Sequence, residues 1–272
     1  MSEFKKQKVE EHKQQALPNG SGRISISWSF EQALGEGLDG IGEDVYVHRY
    51  IGTLKQEPKD ASCDDEHETK TKVAGYIKVY KIHRNNMKDN GVFIHESLDA
   101  VSQELSEVSL VLHKLEDDCS YAPEGSIFQM LGLDEVVKSA KLTNDVGDDY
   151  EIVQGDCVFV DHLFVKKEYR GHGLGLFMID AANNVINSPM SLTLINPFPL
   201  QHGSQYRDGL PPGCDYQAQG VFKKDEAKVR AYYKKLGFKD IGLEGQAMYL
   251  GVWNGYNLPR LQQVAPGLEA LK

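Results

Sequence analysis

The run 158–186, VFVDHLFVKKEYRGHGLGLFMIDAANNVI, constrains this chain more than any other stretch. Its first eight residues are β-branched and aromatic and read as a strand ending at Val165. Residues 166–170 form a charged turn. Gly171, Gly173 and Gly175 then bring bare backbone to the mouth of a helix. That helix carries Leu174, Phe177, Met178, Ala181, Ala182 and Val185 at helical spacing, and Asn187, Ser188 and Pro189 stop it. A helix N-terminus presents unpaired N–H groups and a partial charge of roughly +0.5. Glycines let a phosphate approach those groups, so the unit is a pyrophosphate cradle in physical terms.

The spacing narrows which cradle it is. No run matches the Walker pattern of two glycines followed by Lys and Ser or Thr. Gly171 and Gly173 supply two glycines of a dinucleotide fingerprint, but Leu176 stands where the third belongs. The pattern that fits is R-x-x-G-x-G, as Arg170, Gly173 and Gly175, preceded by L-x-V as Leu163, Phe164 and Val165. A second block, AYYKKLGF at 231–238, places Tyr233 four residues before the pair Gly237-Phe238. Together, and in this order with a strand candidate at 191–195 between them, the blocks resemble the GNAT superfamily of acyl-CoA-dependent N-acetyltransferases. The resemblance covers about residues 150–252.

The resemblance implies an α/β (α+β) fold: a mixed, mostly antiparallel twisted sheet flanked by helices, with a splayed central strand pair. It implies acetyl-CoA as co-substrate and direct transfer of the acetyl group to a primary amine, read here as that of a small molecule. A protein or peptide amine, or a non-catalytic acyl-CoA-binding module, is the alternative. The turn Arg170, Gly171, His172, Gly173, Leu174 and Gly175 is implied to bind pyrophosphate, and Leu163, Phe164 and Val165 the pantetheine arm. Tyr233 is implied to protonate the leaving thiolate; its ordinary pKa of about 10 suits a thiol of about 8.5. Tyr232 and Tyr233 can each share a helix face with Val229 and Leu236, and alignment on Gly237-Phe238 selects Tyr233.

An amine of pKa about 10.4 needs roughly 4–5 kcal/mol to lose its proton at pH 7, so a base is expected. Family bases lie two or four residues before the Leu of L-x-V, which here are Asp161 and Phe159, and only Asp161 can serve. Period-two alternation puts Asp161 on the face of Leu163 and Val165, with His162 on the other. The structural alternatives are a ligand-free turn, a core Tyr233 and a hydrogen-bonded Asp161. One departure from the family concerns a pantetheine-contacting Asn seven residues before the Tyr: Glu226 stands there. A nucleophile built from Cys214 and His202 is the lesser route, since direct transfer is the family norm.

The rest of the 272 residues reads as follows. Residues 1–22 are polar and end in PNGSG, a flexible tail. Residues 23–145 hold strands at 23–30, 44–54 and 72–83, and helices at 98–115 and 127–142, an insertion within the same domain. Residues 146–253 hold the cofactor motifs, with a helix capped by Asp225 and strands at 238–241 and 247–252; 254–272 is a C-terminal tail. The 25-residue connection 196–220, dense in Gly, Pro and Gln, is long enough to suggest a functional loop over the acceptor. Asp64, Asp65, Glu66, His67 and Glu68 read as a solvated charge run, and no metal site is expected. The net charge of −10 argues against nucleic acid as a partner. No run of about 18 apolar residues suggests a membrane span. The absence of an apolar leader and four scattered cysteines point to the cytoplasm. A homodimer is compatible with all of this.

Overall fold

Alternation sets the first strands. Ile24, Ile26 and Trp28 are buried on one side of β2 (Arg23–Ala33), while Ser27 and Ser29 are only partly covered. The computed structural model describes residues 7–16, 23–33, 46–57, 71–121, 131, 155–186, 191–198, 220–243 and 246–253. The other strands are β1 (Gln7–Ala16), β3 (Val47–Glu57), β4 (Lys72–Ile82), β5 (Cys157–Val165), β6 (Leu192–Ile195), β7 (Lys239–Leu243) and β8 (Gln246–Trp253). The helices are α1 (Arg84–Asp89), α2 (Ile94–Asp99), α3 (Gln103–Tyr121), α4 (Leu174–Ile186) and α5 (Gly220–Lys234).

The eight strands form one sheet in the order β1-β2-β3-β4-β5-β6-β8-β7. Every neighbouring pair is antiparallel except β5 and β6, which are parallel and joined through α4. The expected mixed, mostly antiparallel sheet flanked by helices is therefore present. Two apolar clusters lie on its two faces. One joins Ile26, Trp28, Ile77, Val79, Val158 and Val160 to α4 and to Tyr233 and Leu236. The other joins Tyr80, Ile82, Phe159, Leu194 and Tyr249 to Met87, Leu98 and the buried stripe of α3. Gly52 permits the first cluster: a Cβ there would lie 2.7 Å from Ile77 Cγ2 and 2.9 Å from Trp28 Cζ3.

Two sequence readings change. Gln7–Ala16, expected within a flexible tail, pairs with β2 from Gln7↔Phe30 to Ala16↔Arg23. Its sequence QKVEEHKQQA lacks alternation, so the strand follows from the free edge of β2 rather than from its own pattern. Helix α5 begins at Gly220, and Asp225 lies inside it, paired with Lys228 at 2.8 Å, instead of capping it. Apart from Leu131, the helix expected at 127–142 lies outside the described residues, as do the tail 254–272 and most of the 196–220 connection.

At the end of the sheet where β5 begins, polar groups clasp three strands. His83 Nε2 lies 3.0 Å from His48 Nδ1, and its Nδ1 lies 3.3 Å from Asp156 Oδ2, which Lys81 also meets at 3.2 Å. Burial, aided by His83 and Lys81, pushes the His48 pKa down to about 4 from 6.5. The folded chain thus favours neutral His48. This contribution to stability is fully present above pH 6.5 and is lost as pH falls through 4. Thermal unfolding between pH 7 and pH 4 should show a steeper loss of Tm for the native chain than for His48→Gln; parallel curves would contradict this role.

Candidate functional site

The site begins where β5 parts from β6. The parallel ladder covers only Cys157–Val160 against Leu192–Ile195, yet β5 continues along β4 to Val165. Asp161 to Val165 therefore have no strand partner on the β6 side among the described residues. Gly75 permits the close approach on the β4 side, since a Cβ there would sit 2.3 Å from the Phe164 carbonyl oxygen.

A bulge lies at the parting. Lys78 pairs with His162 and Val79 with Val160, leaving Asp161 unmatched. Val158 and Val160 face the α4 side before it, and Leu163 and Val165 face that side after it. Asp161 is thereby turned the other way, which corrects the expectation that it shares a face with Leu163 and Val165. Strict alternation fails because the extra residue shifts the phase by one. The Asp161 side chain, 5% exposed, lies 2.7 Å from Lys78 Nζ and 2.9 Å from His162 Nδ1. Burial raises its pKa, but hydrogen bonding and charge from His162 and Lys78 outweigh that and hold it below the ordinary carboxylate value. A carboxylate so stabilised is a poor proton acceptor.

On the α4 face the parting opens into a cavity of about 670 Å³. That volume lies within the range of small-molecule sites. Leu163, Phe164, Val165, Arg170, Gly171, Gly173, Leu174, Gly175 and Tyr233 all line it. Of the described residues that the resemblance implies for the site, Asp161 and His172 are not on this lining. The sequence reading missed its other wall. Asp225, Lys228, Val229, Tyr232 and Lys235 line it at helical spacing, a stripe on and just beyond α5 that was legible beside Tyr233. Phe198, at the start of the long connection, completes it. Glu226 instead joins Arg230 at 2.9 Å, and Arg230 joins Asp240 at 3.0 Å.

The turn supplies donors. Gly171 and Gly173 adopt φ of 86° and 74°, where glycine is favoured. A Cβ on Gly171 would meet nothing within 4 Å, so the space above it is open. Arg170 N–H bonds to the Lys167 carbonyl, and its Nε–H donates to the Val165 carbonyl at 2.8 Å, folding the turn back on β5. The N–H groups of Gly171, His172, Gly173 and Leu174 have no partner among the described residues. The donor set is therefore narrower than the expected Arg170 to Gly175.

The Leu176 N–H is already engaged by Tyr232, whose hydroxyl oxygen accepts it at 3.2 Å. Gly175 makes room for the ring, because a Cβ there would lie 3.3 Å from the hydroxyl. Burial raises the Tyr232 pKa, partly offset by the nearby Leu176 and Gly175 amides. Tyr233, 7% exposed, packs 6.4 Å from Phe238 and 5.6 Å from Tyr232, centroid to centroid. Burial, with Tyr232 adding to it, pushes its pKa well above the ordinary phenol value.

Comparison with protein-family models, with curated proteins and with solved structures finds no match. Among the described residues no group of three or more His, Cys, Asp or Glu is placed to hold a metal, and no helix is long and apolar enough to cross a membrane.

The placement of Asp161 is testable. Asp161→Asn leaves Lys78 without its charge partner and should destabilise the fold by about 2 kcal/mol. Denaturant unfolding measures this, and an unchanged midpoint would contradict a structural ion pair. The native contribution is present above pH 3.8 and lost as pH falls below it, following the depressed pKa.

Proposed function

We propose that this chain is an acyl-CoA-dependent N-acyltransferase of the GNAT type, moving an acetyl group from acetyl-CoA to a primary amine. The observation that carries the reading is convergence. Two sequence blocks about 60 residues apart, L-x-V with the glycine turn and the tyrosine pair of α5, line one cavity at the only parallel strand pair among the described residues.

The residues fit such a co-substrate. Gly171 to Leu174 offer four adjacent N–H groups at the positive end of α4, suited to a pyrophosphate. Arg170 and Lys235 place cations on the lining, and Lys228 there pairs with Asp225 at 2.8 Å. The free edge of Leu163, Phe164 and Val165 suits a chain bearing amides, which would extend the sheet on that side. Bound acetyl-CoA supplies an activated acyl carbon with a thiolate leaving group. The chain's part is to anchor the phosphates, align the arm along β5, exclude water with Leu163, Val229 and the tyrosines, and hold a phenolic proton near the leaving group.

A non-catalytic acyl-CoA-binding module is the second reading. The ion pairs of Asp161 with Lys78 and of Glu226 with Arg230 favour it, because they withdraw two carboxylates from the cavity. Thiol release in the presence of an amine panel separates the two readings. Small amines are the proposed acceptors, protein amines the alternative.

Gly173→Asp puts a carboxylate where the phosphates would sit, at a φ that Asp tolerates better than most residues. It should abolish acetyl-CoA binding by calorimetry while the variant stays folded. Unchanged affinity in a folded variant would remove the cradle and the proposed function together.

A further inference from the structure

We infer that the acceptor is an amine bearing an aromatic ring about two carbons from its nitrogen, seated on Tyr76 and Phe164 on the α3 side of the sheet. This rests on the transferase reading above. Three cross-strand contacts carry the inference. On the α3 side, β4 and β5 set Tyr80 beside Phe159, then Lys78 beside Asp161, then Tyr76 beside Phe164. The first pair belongs to the apolar cluster beneath α3 and is 3% and 1% exposed. The third pair, with ring centroids 5.4 Å apart, lies outside that cluster, and Tyr76 is 42% exposed. The Arg170 guanidinium lies 5.9 Å from the Phe164 ring centroid, so the glycine turn meets the same pair. An open aromatic pair beside an unpartnered strand edge is a surface for a flat apolar body.

The position of the pair fits the acceptor. Phosphates held in the turn after Val165 send the donor's arm back along Val165, Phe164 and Leu163, and its thioester reaches the parting beside Asp161. Leu163 and Val165 face the α4 side, where the arm lies, while Asp161 and Phe164 face the other. The nitrogen therefore meets the acyl carbon from the α3 side. His162 and Phe164 are two residues apart, about 6.6 Å along a strand. A spacer of about two carbons bridges that distance between nitrogen and ring centre, and a ring bonded directly to nitrogen falls short.

Charge favours the same orientation. The Tyr249 hydroxyl donates to Glu107 at 3.4 Å, and its pKa is raised by burial first and then by Glu107, Glu104 and Asp161. Lys78 pairs with Asp161, but neither glutamate has a cationic partner among the described residues. The end near Asp161 thus draws a protonated amine, and the aromatic pair takes the ring. In the transfer itself the neutral nitrogen bonds to the acetyl carbon, and the carbon–sulfur bond breaks with its electron pair going to sulfur. The proton shed by nitrogen passes through water to sulfur, giving an amide and a free thiol.

Thiol release and calorimetry on the full chain test the assignment. The native chain should use 2-phenylethylamine about fivefold or more better in kcat/KM than 2-cyclohexylethylamine, which has the same reach and no π face. Tyr76→Ala should lower kcat/KM for 2-phenylethylamine about tenfold, with propylamine turnover and acetyl-CoA affinity within about twofold of native. Tyr76→Leu, which keeps the sheet covered, should show the same selective loss and replaces the alanine variant should that fail to fold. Absence of acetyl-CoA binding by the native chain would overturn the transferase reading and this assignment with it. Given binding and turnover, equal use of the two ring-bearing amines, or an equal loss on propylamine in the Tyr76 variants, would overturn the acceptor assignment alone.

Discussion

Strand β5 cannot satisfy both of its neighbours along its whole length. It stays with β4 to Val165, where Gly75 allows a contact no side chain would permit, and it leaves β6 after Val160. An unpaired strand edge in the middle of a sheet is costly unless something covers it or binds to it. Here it opens directly into the cavity, and the glycine turn that follows folds back over the same opening through the Arg170 bond to Val165. Strand, turn and cavity are thus one feature seen at three scales. The bulge at Asp161 belongs to it as well, since it rotates Leu163 and Val165 onto the α4 side.

Donor accounting at the start of α4 divides the turn into two roles. Arg170 closes the preceding turn, the N–H groups of Gly171 to Leu174 have no partner among the described residues, and Leu176 N–H holds the Tyr232 oxygen. A helix N-terminus has four unpaired N–H groups, and at this one a side-chain hydroxyl takes up one of them. The ion pairs nearby follow a similar economy. Asp161, Glu226 and Asp225 pair with Lys78, Arg230 and Lys228, and Arg170 and Lys235 add positive charge to the cavity lining.

The parts of the fold with a strong period were legible in the sequence. The alternation of Ile24, Ile26 and Trp28 and the apolar spacing of α4 gave their elements nearly to the residue. The cavity was legible too, because Leu163 to Gly175 and Tyr233 are fixed by local spacing on either side of one parallel crossover. Three things were not. β1 has no pattern of its own and exists by pairing. The side to which Asp161 points depends on a bulge, and a one-residue phase shift leaves no mark in a run of alternating residues. Which of Tyr232 and Tyr233 bonds an amide of a helix more than 50 residues earlier is a tertiary contact that the doublet YY does not encode.

The central claim is that four free amides at the mouth of α4 receive the phosphates of an acyl-CoA. Amide chemical shifts in nitrogen-15-labelled chain, followed as acetyl-CoA is added, test it most directly. The largest saturable shifts should fall on Gly171, His172, Gly173 and Leu174, with Leu163 to Val165 moving alongside them. Saturable shifts confined to other parts of the sheet, with these four amides unmoved, would contradict it.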